Sequence, residues 1–237
     1  MTQPRAILFD LDDTIISLGE RAASILRAAE EFSTELAPFS SSYVADQLEN
    51  DFTLHWSDPA RQKLARLSME NTRRSLVAHS LARLSEGMFG TELANRFANR
   101  FAALREESLE LFPSAQETLI ALRSRGVALA LVTNGSSDVQ RAKIERYSLT
   151  PLFDHIQIEG ESGFGKPDEK AYRHAMGALG VVAGETWMVG DNLEWEVAVP
   201  QQFGILGIWH DHKGRGLPAG THVRPDRVIT RLGELLE

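Results

Sequence analysis

The residues with the most chemistry in this chain stand together near its start. Asp10, Asp12 and Asp13 fall within four residues, with Thr14 beside them, directly after the apolar run Ala6-Ile7-Leu8-Phe9. Carboxylates this close repel one another and raise each other's pKa unless a cation sits among them. Mg2+, a hard cation that takes oxygen ligands, is the simple remedy. Asp also favours turns, so the cluster read by itself is equally an acidic turn.

Three later stretches supply complementary groups. Leu131-Val132-Thr133-Asn134-Gly135-Ser136-Ser137 passes from an apolar run into a helical one. A hydroxyl, an amide and free backbone N–H groups at a helix start make an anion site, with Thr133 and Asn134 as its substrate-binding candidates. Ser136 or Ser137 also reads there as an N-cap. Gly163-Phe164-Gly165-Lys166-Pro167-Asp168 sets one lysine between a glycine-bearing loop and a proline-opened helix. Met188-Val189-Gly190-Asp191-Asn192 ends another apolar run on an acid, with Glu194 and Glu196 behind it. Glu194, in a helix's first turn, is an ordinary partner of the helix dipole.

These groups need strands to position them. Four apolar residues in a row, Ala6 to Phe9, read as a strand buried on both faces, the parallel-sheet pattern. From Ser17 to about Arg105 the pattern is helical. Ala22, Ile25, Leu26, Ala29 and Phe32 keep helical spacing, as do Leu64, Leu67, Leu76, Leu81 and Leu84. Breaks at Ala37-Pro38, Ser57-Asp58-Pro59 and Gly87 to Gly90 predict four helices, the last opened by Thr91 and Glu92. Asp58-Pro59 is an N-cap followed by proline at the first helical position. From Phe112-Pro113 onward strands and helices alternate, with strands at residues 127–132, 155–158, 187–189, 205–208 and 227–230. Helices are expected over residues 114–125, 137–147, 168–179 and 193–203, the last made short or kinked by Pro200.

That series predicts an α/β fold, a doubly wound, Rossmann-like parallel sheet with helices on both faces. Ligands bind such sheets at the carboxyl ends of the strands, where all four polar stretches fall. A plain strand–helix–strand unit takes about thirty residues. The surplus after the first strand therefore reads as an inserted all-α cap domain. The expected division is a core of residues 1–16 and 106–237 and a helical cap of residues 17–105, placed over the acidic cluster to exclude water.

With 43% hydrophobic and 24% charged residues over 237 positions, the chain can bury one large or two modest cores. It has no cysteine, which excludes disulfides and thiolate metal sites and makes a reducing cytoplasm the natural setting. Met1 to Arg5 lead straight into the first strand, and no apolar run approaches membrane-spanning length. A formal charge of −8 argues against nucleic-acid binding but leaves room for a small phosphorylated metabolite at a local positive site. The expected partners are that metabolite and, at most, a second copy of the chain. His210-Asp211-His212, which looks like a metal pair, reads as surface loop. Arg73-Arg74, His55-Trp56 and His79 read as helix face or packed aromatic.

Taken in order, Asp10-x-Asp12-x-Thr14, Thr133, Lys166 and Gly190-Asp191 resemble the four motifs of the haloacid dehalogenase (HAD) superfamily. The resemblance covers nearly the whole chain, and the insert resembles the α-helical cap of one subclass. It implies a phosphatase in which Asp10 attacks a phosphoryl group to form an aspartyl-phosphate. Asp12 would protonate the leaving oxygen and then deprotonate water. It further implies Mg2+ held by the Asp10 and Asp191 carboxylates and the Asp12 carbonyl, with Thr133 and Lys166 on the phosphoryl oxygens. Asp12 separates the chain from the true haloacid dehalogenases, which lack a carboxylate there. Glu196 stands where the family often has aspartate, and either reaches the metal through water or pairs with Lys166. A sugar-phosphate mutase on the same motifs and a low-turnover phospho-ligand binding module are the alternatives.

Overall fold

The computed structural model describes residues 3–237. Strand β1 (Ala6–Phe9) and the short β2 (Ile16–Ser17) precede a helical stretch of α1 (Arg21–Glu31), α2 (Ser41–Trp56), α3 (Pro59–Leu67), α4 (Met69–Leu84) and α5 (Thr91–Glu107). Strand β3 (Glu110–Leu111), which pairs with β2, returns the chain to the α/β part. There follow α6 (Ala115–Ser124), β4 (Ala128–Thr133), α7 (Ser137–Arg146), β5 (His155–Ile158), α8 (Glu159–Ser162), α9 (Glu169–Leu179), β6 (Thr186–Gly190), α10 (Val199–Gln202), β7 (Leu206–His210) and β8 (Arg227–Ile229). The chain divides into two compact units, one running to Ser17 and resuming over Leu111–Glu237, the other Leu18–Glu110.

The α/β unit is built on a six-stranded sheet in the order β5-β4-β1-β6-β7-β8, every pairing parallel. β1 lies in the middle. From it the chain builds outward through β4 and β5, then crosses to the other side for β6, β7 and β8. This is a doubly wound order with its switch at β1. The four residues of β1 and the five of β6 are all buried, as their unbroken apolar runs require. Helix α9 packs on β1, β4 and β5, with Tyr172, Ala175 and Met176 against Leu8, Val132 and Met188. It opens on Asp168, whose carboxylate accepts from the Lys170 N–H at 2.9 Å, and stops at Gly180 with φ +64°. The segment Leu193–Ala198 is π-helical and continues into α10 at Pro200, the disruption that proline predicts.

The helical unit has its own core, centred on Leu48, Phe52, Leu81, Phe97, Phe101 and Leu104. It contains five helices where the sequence predicts four, because the chain breaks at Ser68 (φ −137°, ψ 52°) between α3 and α4. Leu64 and Leu67, counted in the apolar stripe, are exposed, so that stretch follows a helical period without burying it. Arg73 lies 5.6 Å from the Phe101 ring centroid, Arg74 pairs with Glu70, and His55 meets Trp56 edge-on. Among the described residues, no helix is long and apolar enough to cross a membrane.

Candidate active site

Three neighbouring strands, β4, β1 and β6, bring Thr133, Asp10 and Asp191 to one edge of the sheet. Asp10 follows β1 directly, its N–H donating to the Val189 carbonyl at 2.9 Å. A tight turn comes next. The amides of Ile15 and Ile16 both donate to the Leu11 carbonyl, and Asp13 sits in the left-handed region at φ +54°. The turn brings the Thr14 hydroxyl back onto Asp10 Oδ2 at 3.1 Å.

Lys166 is completely buried, and its ammonium bridges two acids, Asp10 Oδ1 at 2.6 Å and Glu196 Oε1 at 2.8 Å. Of the two roles open to Glu196, the structure contains the pairing with lysine. Its second oxygen accepts from the Asn192 N–H at 2.9 Å, so the carboxylate is held at both ends. Gly190 makes room for it: a Cβ there would collide with the Glu196 side chain. Burial pulls the Lys166 pKa down, but Asp10 and Glu196 outweigh it and leave the group more basic than usual. Burial pushes the Asp10 carboxyl up, with Lys166 opposing and Asp12 assisting. Glu196 is pushed up to about 7, again chiefly by burial.

Asn134 does something other than the sequence suggests. Its amide oxygen accepts from the Lys166 N–H at 2.8 Å and its Nδ2 donates to the Lys166 carbonyl at 2.6 Å. A side chain engaged at both ends by one backbone residue holds the lysine segment in place.

Asp12 leaves the lysine pair to its neighbour and faces α7. Lys143 Nζ reaches both its oxygens, at 2.7 and 2.8 Å, and Gln140 Nε2 reaches one of them at 3.1 Å. Gln140 also donates to the buried Thr133 hydroxyl at 2.5 Å. Sequence reasoning missed both residues. Their spacing of three puts them on one face of a helix that starts at the Thr133 strand end, but only the fold shows what that face meets. The Asp12 side chain is 28% exposed against 1% for Lys166, so Asp12 is the more open of the two.

The acids outnumber their cations. Asp10, Glu196 and Asp191 surround a single buried ammonium, and no ion pair holds the Asp191 carboxylate among the described residues. Burial raises its pKa well above the ordinary range, and Glu196, Asp10 and Asp13 raise it further. Oxygen donors carrying uncompensated charge are what a hard divalent cation requires, so the residues present fit Mg2+. Asp13, Asp191 and His212 also offer ligand atoms within 4.8 Å of one another. This corrects the reading of His210-Asp211-His212 as surface loop. Strand β7 runs on through His210, which is buried against the Phe112 ring with its pKa lowered to about 4 by burial. Asp211, also buried, accepts from the amides of Arg215 and Gly216.

The sequence pattern of the haloacid dehalogenase-like hydrolases matches residues 4–204. Among characterised relatives, a phosphoserine phosphatase of Thermus thermophilus is 35% identical over 77% of this chain, and the match spans 65% of that protein's length. A glyceraldehyde 3-phosphate phosphatase of Pyrococcus furiosus is 27% identical over 100% of this chain and 93% of its own. The fold is also that of the magnesium-bound HAD-hydrolase YfnB of Bacillus subtilis, with a TM-score of 0.71 at 23% identity over 99% of this chain and 97% of the other. With the polar ends of three neighbouring strands gathered around a buried lysine and that pattern running through most of its length, this chain belongs to the haloacid dehalogenase-like hydrolases.

Proposed function

We propose that the chain is a Mg2+-dependent phosphatase of a small phosphate monoester, working through an aspartyl-phosphate on Asp10. The observation that carries this is the placement of Asp12 beside Asp10. A halide leaves as a stable anion, whereas an alkoxide leaving from a phosphate ester needs a proton, and Asp12 is a reachable carboxyl next to the nucleophile. The names of the Thermus and Pyrococcus relatives, both phosphatases, support the same reading.

In this reading Asp10, oriented by Lys166 and Thr14, attacks phosphorus. Asp12 gives its proton to the leaving oxygen and later takes one from the attacking water. The Thr133 hydroxyl and the Lys166 ammonium bind phosphoryl oxygens. Asp10, Asp191 and the Asp12 carbonyl would hold Mg2+, which when bound offsets the charge of the approaching phosphoryl group. The helical unit, inserted soon after this turn in the chain, is assigned the part of a cap.

The test is a panel of phosphate monoesters assayed with and without chelator, on the wild type, Asp10→Asn and Asp12→Asn. Hydrolysis should vanish with chelator and fall by orders of magnitude in Asp10→Asn. Asp12→Asn should hurt alkyl phosphates far more than nitrophenyl phosphate. Equal losses on both would remove Asp12 as the proton donor, and chelator-insensitive halide release from 2-chloropropionate would overturn the assignment.

A further inference from the structure

We propose that Gln140 and Lys143 are positioning residues, a clamp on α7 that fixes the Asp12 carboxylate and the Thr133 hydroxyl for the second half of the reaction. The proposal rests on the phosphatase reading for what Asp12 does; the clamp itself stands on geometry. Lys143 is 8% exposed and Gln140 2%, and a buried ammonium is kept only where partners compensate it. The partners here are specific. The ammonium reaches three acceptors, Asp12 Oδ1, Asp12 Oδ2 and Gln140 Oε1, the last at 2.9 Å. The Gln140 amide is thereby oriented, with its oxygen on the lysine and its nitrogen on Asp12 and Thr133. One of these bonds, from Lys143 to Gln140, lies within α7. The others are directed at Asp12 and Thr133.

Two consequences follow. Thr133 Oγ1 is used as an acceptor by Gln140, and among the described residues the acceptor for its own proton, the Asn134 carbonyl, lies at a long 3.4 Å. Its O–H is therefore available to a phosphoryl oxygen. Asp12 has both oxygens fixed from the α7 side while part of its side chain stays open. In dephosphorylation the water oxygen bonds to phosphorus and the bond from phosphorus to the Asp10 oxygen breaks, its electron pair returning to Asp10. The water proton passes to Asp12. That transfer needs a carboxylate held in one orientation whatever the leaving group of the first half was. With nitrophenyl phosphate the first half needs little help from a proton donor. Loss of the clamp should then appear in the second half.

The experiment compares wild type, Lys143→Met and Gln140→Leu on nitrophenyl phosphate with Mg2+, measuring kcat and, by rapid acid quench, the fraction of enzyme carrying covalent phosphate. Lys143→Met should lower kcat about ten- to a hundredfold and raise the phosphorylated fraction, with Gln140→Leu moving both in the same direction. A fall in kcat with no rise in phosphoenzyme would reduce the pair to a structural role and overturn the proposal, as would an unchanged kcat in both variants. Crystal structures of the variants decide the clamp independently of turnover. Asp12 should leave its wild-type rotamer, and an unmoved Asp12 refutes the clamp. Absence of phosphate hydrolysis by the wild type would instead sink the phosphatase reading and leave the rotamer comparison to judge the clamp.

Discussion

Glu196 allows the electrostatics of the site to be tested without any substrate. In the folded chain its carboxyl is raised from 4.5 to about 7, by burial first and by Asp10 in addition, with Lys166 opposing. Below pH 4.5 both the folded and the unfolded chain carry the proton. Between 4.5 and about 7 the unfolded chain releases it while the folded chain keeps it, so stability falls as pH rises through this window and levels off above it. The displacement corresponds to roughly 3 kcal/mol at most. Asp10 and Asp191 are raised as well and push in the same direction. Glu196→Gln abolishes one titration and weakens the repulsion on the other two acids. Urea denaturation of chelator-treated protein, followed by tryptophan fluorescence between about pH 5 and 8, should show wild-type stability declining and the variant's declining much less. Parallel profiles for the two proteins would refute the argument. Mg2+ added to the wild type at the alkaline end should recover stability, because a ligand of the folded state alone shifts the balance toward it.

Three further outcomes follow. Asn134→Ala removes both hydrogen bonds that hold the Lys166 backbone, and should lower stability by about 1–3 kcal/mol in thermal denaturation and reduce kcat more than KM rises. Gly190→Ala puts a methyl into the Glu196 side chain and should destabilise the α/β unit by about 1–3 kcal/mol, with Glu196 displaced from Lys166 in a crystal structure. Phe97→Ala, at a fully buried position of the helical core, should cost about 3–5 kcal/mol, read as an earlier loss of helical circular dichroism on heating.

What could be read in the sequence was whatever depends on short range. The runs that became β1, β4 and β6 are apolar without alternation, and the polar groups that follow them announce a strand end. Positions that depend on what a helix face meets were not readable. Gln140 and Lys143 look like any exposed helix pair until β1 and α7 are brought together. Ser68 breaks a helix with no proline or glycine to mark it. His210 and Asp211 sit in a polar stretch, yet β7 carries the first into the interior and the second ties a loop. Asn134 was assigned to a ligand because its type and place suit one, and its engagement with Lys166 depends on a loop thirty residues away in the chain.

The central place of β1 also governs how the chain must acquire its shape. A strand that leaves the ribosome ahead of both its neighbours finds them far downstream, β4 beginning only at Ala128 and β6 at Thr186. No hairpin can form in the meantime, and the whole helical unit is synthesised in the interval. That unit has mostly local partners and can condense first, whereas the sheet must wait for long-range pairing, the slow step in chains of high contact order. Until β6 appears, Ala6–Phe9 presents an apolar strand with at least one open edge, the kind of segment on which newly made chains aggregate. Asp10 follows a strand whose second neighbour is β6, so a nascent chain cannot bring Asp10, Lys166 and Asp191 together until β6 has been synthesised.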